Sequence, residues 1–271
     1  MTSKVIGVIS IKGGVGKTTV TTNLGAVLAN QFGKKVLLVD ANFSAPNLGL
    51  HFGLVKPQAT VHEVVMGKTQ LENAVYIHDA GFHFVPGALN TSGKIDVFAL
   101  KKKLRETKTK YDIILIDSSP TLNAEMLATI VASDELLVVT SPDYPTLSCT
   151  IRAVKLAKSK NTPILGLVLN KKRGKHFELT VDDIEELANV PVLAVLDDDV
   201  KVLEALSETT PVSLFAPRSN IGIEYRKLAS CLIGEEYKDP RFLAKLKGVF
   251  AKGVGKEEIN RAIFQKDRLK I

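Results

Sequence analysis

Lys12-Gly-Gly-Val-Gly-Lys-Thr-Thr19 sets two lysines, three glycines and two threonines into eight positions, between the apolar run Val5–Ile9 and a helical pattern starting near Lys17. Glycines let a backbone curl until successive N–H groups face one anion, and a helix start adds unpaired N–H groups and a positive dipole end. The chemistry that suits such a stretch is the binding of a polyphosphate. Gly13, Gly14, Val15, Gly16 and Thr19 would form its cradle, Lys17 would meet the β- and γ-phosphates, and the Thr18 hydroxyl would ligate an accompanying Mg²⁺.

Two carboxylates stand where this chemistry needs them. Tyr111-Asp-Ile-Ile-Leu-Ile-Asp117 is an apolar run ending in an acid, and Asp117 would hold the Mg²⁺ through its water shell. Val36-Leu-Leu-Val-Asp40 ends the same way. Asp40 would orient or deprotonate a water attacking the terminal phosphate, and joins Thr18 and Asp117 as a metal-site candidate. Lys12, Lys17 and Asp40 are thus the candidate catalytic residues.

The elements that must position these side chains can be read from apolar periodicity. Strand-like runs fall at Val5–Ile9, Val36–Val39, Phe82–Val85, Ile113–Ile116, Leu136–Thr140, Ile164–Leu169 and Val192–Leu196. Helical patterns lie between them at about Lys17–Gln31, Lys94–Thr107, Leu122–Val131, Thr146–Lys158, Val181–Ala188 and Val200–Leu206. Such alternation predicts an α/β fold: a doubly wound, mostly parallel sheet with helices on both faces and a ligand site beyond the carboxyl ends of the strands.

Composition agrees. The 271 residues are 45% hydrophobic and 24% charged, the balance of a globular protein, and no apolar run has the length a membrane span requires. The expected location is the cytoplasm. Cys149 and Cys231 form no Cys-x-x-Cys pair, and the five histidines have no metal-ligand spacing, so neither a disulfide framework nor a zinc site is expected.

The common phosphate-loop pattern asks for glycine where Ile11 stands. With Lys12 at its front, the loop resembles the deviant Walker A motif of the MinD/ParA family, and more specifically of its MinD-like members; the resemblance runs from about Lys4 to Gly253. It implies an Mg-ATP-dependent ATPase that dimerises with ATP, each Lys12 reaching the phosphates of the opposite subunit. The segment after Asp40 is similar to a family loop in which a second aspartate is tied to hydrolysis; here that position is Asn42, which implies slow turnover. Asp117-Ser-Ser-Pro-Thr121 resembles the second switch segment. Asn170 matches an asparagine that reads the adenine edge, and Leu196 and Asp197 match residues flanking the base, with Leu196 in place of a proline. An acidic residue that holds the front lysine at rest in the family aligns with Cys149.

The sequence divides at residue 239 into an ATPase domain, 1–239, and a basic tail, 240–271. The tail holds nine of the 36 Lys and Arg against three acids, and so carries nearly all of the net charge of +7. In it Phe242, Leu243, Leu246, Val249 and Phe250 make one helical stripe, with Lys245 off its margin. Such a helix suits the headgroup region of an anionic membrane, and it resembles the MinD membrane-targeting helix. The implied location is therefore peripheral and reversible, on the inner face of the cell membrane, under an unidentified activating or cargo protein. The alternative is a ParA-like protein whose ATP dimer binds DNA through Lys101–Lys103, Lys171–Arg173 and the tail. A metal-cluster reductase with the same loop would want paired cysteines, which are absent from the sequence.

Overall fold

The computed structural model describes residues 3–90, 93, 95–239 and 254–268. Eight strands form one sheet: β1 (Lys4–Ile9), β2 (Val36–Ala41), β3 (Tyr76–Ile77), β4 (His83–Val85), β5 (Ile113–Ser118), β6 (Glu135–Thr140), β7 (Ile164–Lys172) and β8 (Val192–Asp197). Their order is β3-β4-β2-β5-β1-β6-β7-β8, and every neighbouring pair is parallel except β3 with β4. The central strands are aliphatic at nearly every position because both faces are covered; β2 and β5 are buried at all six residues.

Among the described residues the helices are α1 (Lys17–Asn30), α2 (Val61–Val65), α3 (Ala99–Thr107), α4 (Ala124–Ala132), α5 (Tyr144–Ser159), α6 (Val181–Ala188), α7 (Lys201–Ser207), α8 (Val212–Phe215), α9 (Asn220–Ile233) and α10 (Lys256–Arg268). Val8, Leu38, Leu115 and Val139 share one apolar cluster with Leu24 and Leu28 of α1 and Leu228 of α9. The opposite face carries Leu37, Ile114 and Ile116 against Leu100 and Leu104 of α3, and Val138 and Leu167 against Met126 and Val154 of α4 and α5. This is the expected doubly wound sheet. From β1 the chain passes to β2 on one side, while β6 lies on the other, so the loop after β1 opens where the winding reverses.

Several elements depart from the sequence reading, which did not anticipate β3, α2 or α8. Strand β7 continues past Leu169 to Lys172, which puts Asn170 inside the strand. Helix α3 starts at Ala99 rather than near Lys94. Helix α9 was not anticipated, although Ile221, Tyr225, Leu228 and Leu232 stand at i, i+4, i+7 and i+11 and are buried along one face.

Residues 256–268 form α10, which packs against β8 and α9. No helix among the described residues is long and apolar enough to cross a membrane.

Candidate functional site

Between β1 and α1 the loop turns on two glycines in the left-handed region, Gly14 with φ 75° and Gly16 with φ 95°. Nothing lies within 4 Å of where a Cβ on Gly14 would sit, so the crest of the loop is open. Gly16 caps α1 without a side-chain hydrogen bond, which leaves the first N–H groups of the helix for an anion. Gly16 is required for a second reason: a Cβ there would come within 2.3 Å of Asn170 Nδ2.

Thr18 and Asp117 meet at the foot of this loop. Thr18 Oγ1 donates to Asp117 Oδ2 at 2.6 Å, while Asp117 Oδ1 is buried with no hydrogen-bond partner. A buried acceptor left unpaired costs free energy that a hydrated cation would recover, so this pair fits a Mg²⁺. Lys17 is buried beside it. Burial pushes its ammonium below the usual lysine range, and the charge of Asp117 opposes that shift.

Asp40 is aligned with Asp117 across the β2–β5 pair and is fully buried. Its oxygens accept from three main-chain N–H groups, those of Asn42 at 3.1 Å, Asn47 at 3.0 Å and Leu48 at 3.0 Å. The carboxylate thereby organises the loop that follows β2. Burial, and then the neighbouring Asp117, raise its pKa well above the carboxylate range against the pull of these donors. Asp117 is raised as well, by burial, with Thr18 and Lys17 opposing. Asn42 donates through Nδ2 to the Ala45 carbonyl and leaves Oδ1 buried without a partner.

Lys12 is engaged by its own chain. Its Nζ donates to Thr146 Oγ1 at 2.6 Å and lies 3.2 Å from Asp143 Oδ1, at the start of α5. Asp143 also caps α5, accepting from the Thr146 N–H. Its burial would raise its pKa, but hydrogen bonds from Ser141, Thr146 and Lys12 outweigh that and hold it at about 2. Sequence reasoning looked for an acid at Cys149 and missed Asp143. The only local signal was an acid placed to cap the helix after Ser141-Pro142.

Asn170 Nδ2 donates to the Val15 carbonyl at 2.7 Å, so this residue touches the phosphate loop itself. Leu196 points into the core at 0% exposure, because β8 alternates inward there, and any contact of this residue with a ligand would be through its backbone. Asp197 is exposed at the strand's end. The structure thus brings together Lys12 through Thr19, Asp40, Asp117 and Asn170 at the carboxyl ends of the central strands. The membrane candidates Phe242, Leu243, Lys245, Leu246, Val249 and Phe250 lie outside the described residues. Of the charges offered to DNA, Arg173 pairs with Asp198 and Lys103 with Glu106.

Comparison with known proteins agrees with this geometry. Residues 3–164 match the family described as AAA domain. An uncharacterized ATP-binding protein of Methanocaldococcus jannaschii is 33% identical over 257 residues, covering 91% of this chain and 97% of its own. Among solved structures, the cell division ATPase MinD of Pyrococcus furiosus superposes with TM-score 0.80 at 32% identity, over 84% of this chain and 97% of that one. The septum site-determining protein MinD of Pyrococcus horikoshii, solved with Mg-ADP, gives TM-score 0.79 at 31% identity, over 92% and 99%.

Proposed function

Since the chain belongs to the MinD/ParA family of P-loop ATPases, we propose that it binds and hydrolyses Mg-ATP as a homodimer and serves as a spatial regulator on an anionic membrane surface. The observation that carries this reading is the Thr18–Asp117 hydrogen bond beneath an uncapped helix start, with the second Asp117 oxygen left for a cation. When bound, Mg²⁺ would neutralise charge gathering on the transferred phosphoryl group.

The remaining work falls to the chain's own groups. Main-chain N–H groups of the loop hold the phosphates, Lys17 supplies a cation already stripped of water, and Asp40 fixes the loop carrying Asn42. Asn42 positions the attacking water but cannot take its proton, so turnover is slow. Lys12 leaves Asp143 and Thr146 to reach the partner's phosphates, which couples catalysis to assembly. The stretch 242–250 gives reversible attachment, strengthened when two copies act together.

Calorimetry with ATP and ADP in the presence of Mg²⁺ tests the nucleotide site; absence of binding heat overturns it. Vesicle co-sedimentation tests the membrane assignment. Deleting the tail would remove α10 from β8, so the informative variants are Leu246→Ser and Phe250→Ser in the full chain. They should release the protein from phosphatidylglycerol vesicles while nucleotide binding persists. Retained vesicle binding, or ATP-dependent binding to duplex DNA with none to lipid, would reject it.

A further inference from the structure

Helix α10 docks through Phe264, which packs against the core, and through polar side chains around it. Arg261 is buried, donating through Nη1 to the Leu193 carbonyl at 2.7 Å and to Glu224 Oε1 at 2.5 Å. Asn260 Nδ2 donates to the Val192 carbonyl at 2.8 Å, and Arg268 Nη2 grips both oxygens of Glu135 at 2.7 and 2.6 Å. Its isoleucines face out: Ile259 is 50% exposed and Ile263 56%, with Ala262 exposed between them. Ile259, Ala262, Ile263 and the exposed Lys266 stand at i, i+3, i+4 and i+7, one continuous face. A surface helix ordinarily turns such a stripe to the core. Single exposed aliphatics need no explanation, whereas a stripe in helical register marks a contact surface.

Its position points to the occupant. Residues 240–253 join Asp239 to Val254 in sequence. Lys227 Nζ lies 3.8 Å from Asp239 Oδ2 and 2.5 Å from Glu258 Oε1, so Asp239 and the first turn of α10 meet at one side chain. From Phe250 to Lys256 the chain spans at most about 22 Å. Any surface met by Phe250 is therefore within that reach of the first turn of α10. Arg241–Lys252 carries four basic residues and no acid, which suits an anionic surface.

We infer that the outer face of α10, formed by Ile259, Ala262 and Ile263 with Lys266, is a second lipid-contacting stripe on the same anionic bilayer. This rests on the membrane assignment proposed for residues 242–250. The inward grip of Arg261 and Arg268 holds the helix to the domain, so the contact fixes how the whole domain lies on the membrane rather than merely tethering it.

The test uses the full chain with Mg-ATP and vesicles of phosphatidylglycerol and phosphatidylcholine. The Ile259→Ser/Ile263→Ser variant should bind vesicles about tenfold more weakly, with nucleotide affinity and melting temperature unchanged because both side chains face solvent. Equal affinity for the variant would overturn the inference and leave the membrane assignment standing. Tighter binding would overturn it too, by showing that the stripe covers part of this chain instead. If the parent chain binds no vesicles, both fall. The chain has no tryptophan, so Ile263→Trp supplies a direct probe. Its emission should shift to the blue on adding vesicles; an unshifted spectrum with the protein bound refutes lipid contact at α10.

Discussion

Lys12 is tied to Asp143 and Thr146 of its own chain, across more than a hundred residues of sequence, by contacts of 3.2 and 2.6 Å. The lysine proposed to act on a partner's nucleotide is therefore occupied in the monomer, and dimerisation must break this pair. Both side chains are about two-fifths exposed, at 41% and 42%, so water screens the attraction and its worth is about 0–1 kcal/mol. Asp143→Asn keeps a helix cap while removing the charge. Sedimentation in Mg-ATP should show the dimer forming at concentrations up to about fivefold lower. Lys12→Ala should instead keep ATP binding and lower hydrolysis at least about 100-fold.

The buried Asp40 and Asp117 make the free protein sensitive to pH in an unusual direction. Both have native pKa values raised by burial above their unfolded ones, so the native state holds more protons and stability falls as pH rises from the ordinary carboxylate range towards neutrality. Thermal melts in EDTA should give a higher Tm near pH 5 than near pH 8. Asp117→Asn should shrink that difference. The same variant should abolish the Mg²⁺ dependence of nucleotide affinity, since the cation needs the ionised form.

Asn42→Asp would place a carboxylate where the structure has a buried amide. It would lose the donor to the Ala45 carbonyl and add charge beside Asp40. We expect faster single-turnover ATP hydrolysis together with a stability loss of about 1–3 kcal/mol. A gain in stability without a gain in rate would contradict the role given to this position.

Asn170→Ala should lower stability by about 1 kcal/mol even without nucleotide, because the Val15 carbonyl loses its donor. Gly16→Ala should be worse. Its methyl would strike the Asn170 amide at a φ that L-residues rarely adopt, and urea titrations of the two variants would rank them.

Much of this was legible because the signals were local. Seven apolar runs became seven strands, and the glycines and lysines of the loop identify a phosphate site without any partner in view. The acids at 40 and 117 fell at strand ends by counting alone. What stayed hidden depends on contacts distant in sequence. Nothing in the spacing links Lys12 to Asp143, or Asn170 to Val15. The two-residue β3 is too short to show a period. Helix α10 misleads a periodicity argument outright, since its isoleucines face solvent and its arginines face the protein.

The loop at Lys12–Thr19 is suspended from both neighbouring halves of the sheet. Thr18 ties it to β5 on one side of β1, and Val15 ties it through Asn170 to β7 on the other. A strap fastened at two points has its shape settled when the protein folds. A ligand arriving there meets a receptor with little ordering left to do, and its affinity is spared that entropic penalty.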